Sequence, residues 1–354
     1  IARLYELELG DKRNAVETYQ QVLAEVDRDP QALAALDALY LSLEQWPEYA
    51  EILRARIELD VSDLELIDFK YRLGSALEKH LGDAHAALEN YKEILFLDPA
   101  NEAARLALEN LLENEELCAE SASILQEIYE GRGDWTKLVQ VLEILADAAA
   151  STEDRVALLR KVALVASESL GDLPKAIEAQ SRALREDPSN ADSLRELEQL
   201  AAAADAWDRL DQILSEIAEG LEDPQLARAY WMRLGAIHER LQKVEQAAAS
   251  YQRVLSLDAG DADALAAMDA LYRRTERWED LIGVYRRRIE LSDDAGEREA
   301  LYGQLASVFE ERLGRPHDAI AKYREVLNLD PASIVALRAL DGLFVRGSKW
   351  AEPP

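Results

Sequence analysis

Four histidines and one cysteine are the residues of this chain best suited to metal or nucleophilic chemistry. His80, His85, His238 and His317 fall at scattered positions, and none belongs to a His-Glu-x-x-His pair; His238-Glu239 lacks the second histidine. Cys118 stands alone, so neither a zinc knuckle nor a disulfide can form within the chain. No base lies near it in sequence to make a thiolate. Glycines come singly at helix ends apart from Gly131-x-Gly133, which leaves no loop to cradle a phosphate. The 70 Asp plus Glu are too many for any two to be singled out as acid and base. The sequence therefore reads as non-enzymatic, with no metal and no cofactor. Its 30 arginines, against 10 lysines, offer a different chemistry. A guanidinium fork takes a carboxylate through two parallel N–H bonds, as on an acidic peptide.

Composition narrows the classes further. A formal net charge of −30 repels phosphate backbones and anionic lipid, which speaks against nucleic acid and membrane adhesion. No apolar run reaches the ~18 residues of a membrane span. A hydrophobic content of 49% is too high for a disordered acidic tail. The arginine-over-lysine bias, with much alanine, suggests a GC-rich bacterial source.

What positions the arginines is a repeat. Trp46, Trp135, Trp207, Trp278 and Trp350 are separated by 89, 72, 71 and 72 residues. Leu9, Leu81, Leu170, Leu241 and Leu313 are spaced 72, 89, 71 and 72, as are Ala15, Ala87, Ala176, Ala247 and Ala319. Three residue types sharing one period define a unit of about 72 residues, with 17 extra in one interval. Inside each unit the apolar residues keep helical spacing, as at Ala319, Tyr323, Val326 and Leu327. Asp-Pro pairs at Pro30, Pro99, Pro188 and Pro331 separate helices, and Gly10, Gly82, Gly171 and Gly314 close them. No alternating strand pattern occurs. The chain reads as all-α.

These residues resemble the tetratricopeptide repeat. Leu73-Gly74, Ala87, Tyr91, Ile94 and Asp98-Pro99 follow its pattern, as do Leu234-Gly235, Ala247, Tyr251 and Val254, and Ala306, Phe309, Ala319, Tyr323, Val326 and Pro331. The first helices run one residue longer than the common 34-residue form. The resemblance covers essentially the whole chain. It implies a right-handed α-solenoid of stacked antiparallel helix hairpins, about ten of them, in ~72-residue double units. Small residues at Gly74, Ala163, Gly235 and Ala306 would let paired helices approach. Trp46, Trp207 and Trp278 would wedge one hairpin on the next.

The 89-residue interval breaks the pattern. A turn tryptophan is due at position 118, where Cys118 stands, and a complete hairpin follows through Gly133-Asp134-Trp135. The helix from Asn101 to Glu113 is therefore read as an odd one, and 101–118 as the joint of the array. The organisation expected is hairpins over 1–100, the irregular segment 101–118, and hairpins over 119–354 with the last cut short. Segment 101–134 carries nine Asp/Glu against Arg105 and Arg132.

The resemblance also implies a concave groove lined by first helices. Carried over, its positions include Asp263, Ala266, Ala270, Arg273 and Arg274, with Arg195 and Gln199, Arg240, Arg338 and Arg346. Arg195, Arg240, Arg273, Arg274, Arg338 and Arg346 would form a basic stretch, partly offset by Glu310 and Glu311. Toward the N-terminus the same register reads Glu120, Glu127 and Glu130, or Leu41, so the groove is expected to be polarised. The clamp of the chaperone-tail binders would fall at Ser75, Ala236 and Ser307, which supply no asparagine. Arg286, Arg287 and Arg288 belong to a second helix and its outer face.

The chain opens partway along a first helix and closes just after Trp350, where a second helix is due, so it reads as a piece of a longer array. The function expected is a protein–protein interaction scaffold that binds a partner peptide or helix in the groove. The alternative is a structural spacer or self-associating rod, since the chain looks like the long arrays of bacterial envelope and gliding-motility assemblies. Localisation is not legible.

Overall fold

A computed structural model describes residues 1–350, and the side chains of residues 1–346. Among the described residues every regular element is helical. The helix expected after Trp350 lies outside them. The chain divides into two compact units, Ile1–Asp187 and Pro188 onward; segment 101–118 falls inside the first.

The first unit opens on a π-helical segment, Leu4–Glu8, followed by α1 (Lys12–Glu25), α2 (Pro30–Ser42), α3 (Trp46–Ile57), α4 (Asp63–Ala76) and α5 (Ala84–Leu97). Then come α6 (Glu102–Leu111), α7 (Cys118–Arg132), α8 (Trp135–Ala148), α9 (Thr152–Leu164) and α10 (Leu173–Glu186). Consecutive helices pack on one another, with α4 on α5, α7 on α8 and α9 on α10 as the tightest pairs. The helix starts are locally encoded. Asp11, Asp29, Asp83, Asp134 and Asp172 each accept a backbone N–H of the helix they open. At α4 the cap is reciprocal: Ser62 accepts from the Glu65 amide and Glu65 accepts from the Ser62 amide. Pro30 sits in the first turn of α2, where its missing N–H costs nothing.

The second unit runs α11 (Ala191–Ala203), α12 (Trp207–Glu219), α13 (Pro224–Arg240), α14 (Val244–Leu257), α15 (Ala262–Arg274), α16 (Trp278–Leu291), α17 (Ala295–Ser307), α18 (Pro316–Leu329) and α19 (Ile334–Trp350). From α14 onward its buried residues form one continuous cluster, from Ala247 through Tyr285 and Phe309 to Leu343. That is what a repeat array produces, since each hairpin buries its apolar stripe against its neighbours.

The extra residue in the first helices has a structural form. Four of them end in a π-helical turn, at Leu4–Glu8, Leu77–Leu81, Val165–Ser169 and Val308–Arg312. An inserted residue in an α-helix is accommodated as such a turn. Helix α13 has none, and there the distance from Gly235 to Ala247 is 12 residues, against 13 from Gly74 to Ala87. Gly10, Gly82, Gly171 and Gly314 follow the four π turns with left-handed φ, as expected of helix closure.

The turn tryptophans pack between hairpins. Trp46 stacks on His80 with ring centroids 3.6 Å apart, Arg240 lies 4.1 Å over Trp207, and Arg312 lies 5.0 Å over Trp278. Each pair joins a second helix to the end of the next first helix.

Candidate partner-binding surfaces

All six arginines of the expected basic stretch lie in the second unit, on α11, α13, α15 and α19. Most are tied to carboxylates of their own fold. Arg195 pairs with Asp192 at 2.6 Å and Arg273 with Asp269 at 2.5 Å, each within one helix. Arg274 reaches back 35 residues to Glu239, and Arg346 reaches 36 to Glu310. Arg240 is held over Trp207. Arg338 is exposed and pairs with no described carboxylate. Two of the six, Arg274 and Arg346, thus form rungs between neighbouring first helices.

Each rung rests on a tyrosine. The Tyr251 hydroxyl donates to Glu239 at 2.5 Å and the Tyr323 hydroxyl donates to Glu310 at 3.4 Å. The same pairing recurs in the first unit, from Tyr19 to Glu6 at 3.0 Å and from Tyr91 to Glu78 at 2.8 Å. Burial pushes these phenols up, and the carboxylate each one meets adds to it; Tyr323 is raised to about 12. Glu239 and Glu310 therefore accept from a second helix and a neighbouring arginine at once. The equivalents of Arg274 in the first unit are Ser42 and Asn114, so Glu6 and Glu78 have no such rung.

On α15 the positions Asp263, Ala266, Ala270, Arg273 and Arg274 are all exposed, while Leu265, Met268, Leu271 and Tyr272 face the core. This helix offers a shallow alanine floor with arginines at its C-terminal end. Beside it Arg273, Tyr285, Gln304 and Arg312 line a cavity of about 490 Å³. Arg346 and Phe344 line another, of about 810 Å³.

In the first unit the acidic positions Glu120 and Glu127 lie on α7, beside a cavity of about 790 Å³ that α5 closes on the other side. Glu130 instead pairs with Lys161 of α9 at 2.8 Å. The α7–α8 pair joins the next hairpin in regular fashion, through this bridge and through Lys175–Glu143 at 2.6 Å. Helix α6 stands apart from the hairpins, packed on α5 and α7. Its Glu109 accepts from Tyr129, Arg105 and Lys137. Burial opposes the Glu109 charge, but these donors outweigh it and hold the carboxyl below its usual range.

One constellation escaped the sequence reading. His238 is buried, with Nδ1 3.0 Å from the Ser250 hydroxyl and Nε2 2.8 Å from Asp211, which also takes Lys243 at 3.0 Å. The order Asp–His–Ser is that of a hydrolytic triad. Ser250, however, is only 2% exposed and sits within α14, where backbone amides are spent on the helix and none can serve an oxyanion. The line ties α12, α13 and α14 together. Its sequence signal is a histidine 12 residues before a serine, the same offset that joins Glu239 to Tyr251. Among the described residues no cluster of His, Cys, Asp and Glu has metal-binding geometry. Cys118 opens α7 at the place where other turns carry tryptophan.

Family models described as tetratricopeptide repeat match residues 1–31 and 264–299 in one case and 228–261 in another. The last is the α13–α14 hairpin, whose first helix has no π turn. No curated protein matches the chain. Solved structures with a similar course include YrrB, a repeat protein with an unusual peptide-binding site, at 16% identity over 52% of this chain and 91% of that one, TM-score 0.29. The P58(IPK) repeat domain aligns at 12% identity over 99% and 98%, TM-score 0.25. PilF of Pseudomonas aeruginosa aligns at 19% over 63% and 96%, TM-score 0.29. Likenesses of this size say nothing about what this chain binds. With three matched hairpins set in a 72-residue period and packed helix pairs in both units, the chain is a tetratricopeptide repeat protein.

Proposed function

We propose that the chain is a non-enzymatic interaction scaffold whose first-helix face in the second unit holds an acidic segment of a partner protein. The observation that carries this reading is the exposed stripe of α15, where alanines leave room and Arg273 and Arg274 border it. Asp269 and Glu239 orient these two guanidinium groups without occupying all five N–H donors of either. Arg338 and Arg346 would extend the same chemistry along α19. The test is binding of a fluorescent glutamate-rich peptide to the whole chain. Charge reversal at Arg273, Arg274 and Arg338 is expected to weaken it at least tenfold, and unchanged affinity would end the reading.

A second reading, a self-associating rod, is favoured by α19, where Ile334, Val335 and Phe344 are 63%, 76% and 50% exposed. Sedimentation at rising concentration tests it; a strictly monomeric chain would sink it.

A further inference from the structure

Elsewhere within the units the second helix of one hairpin packs directly on the first helix of the next, as α3 does on α4, α12 on α13, α14 on α15 and α16 on α17. Between α5 and α7 the odd helix α6 intervenes, and a crevice of about 790 Å³ opens between them. Leu95 and Phe96 line one wall; Glu120, Ile124, Glu127 and Ile128 line the other. The α7 residues fall at i, i+4, i+7 and i+8, a continuous helical stripe.

Phe96 is the anomaly. It is 87% exposed, and nine residues past the reference alanine the other four copies carry Ala24, Arg185, Ser256 and Asn328. At this register position the five copies carry a large apolar side chain only beside the irregular helix. A lone exposed aromatic is unremarkable on a surface. Here it stands over half-buried Ile124 and Ile128 in a crevice open along its length.

Charge decides the occupant. Glu120 and Glu127 are exposed and pair with no described cation. The crevice also receives the last turn of α5, whose carbonyl end favours positive charge. Two cations share the rim. Lys92 is bound to Glu89 at 3.2 Å, and Arg132 lies at the far end of α7. A second copy of this chain, at −30, is a poor source of a basic segment.

We infer that the α5–α7 crevice is a docking site for a basic amphipathic helix of a partner protein. Its apolar ridge would nest between the two stripes against Phe96 and its lysines or arginines would meet Glu120 and Glu127. The inference rests on the scaffold reading but not on the arginines of the second unit.

The probe is a fluorescent leucine–lysine peptide of about 16 residues, roughly four turns, with leucines at i, i+3, i+4 and i+7. It is titrated by anisotropy against the whole chain at about 0.15 M ionic strength. Saturable binding is expected, weakened at least tenfold by Phe96→Ser and by Glu120→Lys with Glu127→Lys. Arg273→Glu with Arg274→Glu should leave it unchanged within twofold, whatever those changes do to the acidic probe. All these positions are exposed, and circular dichroism confirms that the variants fold. Equal binding of a scrambled peptide of the same composition, undiminished binding by Phe96→Ser, or no saturable binding would each overturn the inference.

Discussion

A side-chain carbon added to Gly235 would lie 2.2 Å from Cε1 of Tyr251. The first and second helices of this hairpin are in contact because one residue lacks a Cβ, and the tyrosine ring fills the space so released. Gly74 stands in the same relation to Tyr91, at 2.7 Å. Gly235→Ala should gain about 1 kcal/mol of helix propensity and lose about 1–3 kcal/mol to overpacking. The ring must move off Glu239, so a net loss is expected in urea titration. Gly283, in the exposed middle of α16, meets nothing within 4 Å. Gly283→Ala should stabilise by about 0.5–1 kcal/mol.

The turns before the tryptophans hold their strain in non-glycine residues. Glu44, Asp205 and Glu276 have φ of 55°, 50° and 56°, each two residues before a tryptophan, where the fourth turn has Gly133 at 70°. A side chain in this region costs about 1–2 kcal/mol. Glu276→Gly is therefore expected to raise the melting temperature and Gly133→Ala to lower it, by opposite shifts in one thermal scan.

The Asp211–His238–Ser250 line should behave as structure. His238→Leu takes the imidazole from a largely buried carboxylate and leaves it Lys243 and the Ser215 hydroxyl, and a loss of about 2–3 kcal/mol is expected. Ser250→Ala removes one hydrogen bond and should cost about 1 kcal/mol. If Ser250→Ala were neutral and abolished a hydrolytic activity, the line would be a catalyst instead.

Asp261 gives a pH signature. The Arg228 guanidinium beside it and the Ala264 amide it caps hold its carboxyl below the ordinary 3.8. A lowered pKa contributes stability that is complete above the unfolded value and lost as pH falls through the folded one. The difference in unfolding free energy between wild type and Asp261→Asn should be constant above about pH 5 and shrink below about pH 4. Asparagine keeps the cap, so the ion pair with Arg228 is what is read. A difference that stays flat down to pH 2 would refute this.

The fold was legible because its signals are local and repeated. One period shared by tryptophan, leucine and alanine set the unit, and aspartates and glycines set the helix ends. The close approach of paired helices at Gly235 was legible from residue size alone, but not that Tyr251 of the same hairpin fills the space. The arginines were legible as exposed first-helix positions, but not their neutralisation. Arg274 meets Glu239 and Arg346 meets Glu310 across one hairpin length, and helical periodicity within a segment says nothing about a neighbour 35 residues away. His238 was opaque for the same reason: its partners come from two other helices. Phe96 stood in plain sight in the sequence; what it faces depended on where α6 packs.

The π turns bear on how such a chain can change over generations. The surplus residue in each is Leu7, Lys79, Glu168 or Glu311, every one exposed. On its N-terminal side Glu78 still meets Tyr91 as Glu239 meets Tyr251. On its C-terminal side Leu81 leads to Ala87 as Leu241 leads to Ala247, six residues on. A codon can be gained or dropped at this one place without disturbing the contacts before or after it. Elsewhere in a helix a one-residue change rotates everything beyond it by about 100°. The array thus contains slippage points at which length drifts freely while its contacts do not, and deletion of Lys79 should yield a soluble, fully helical chain.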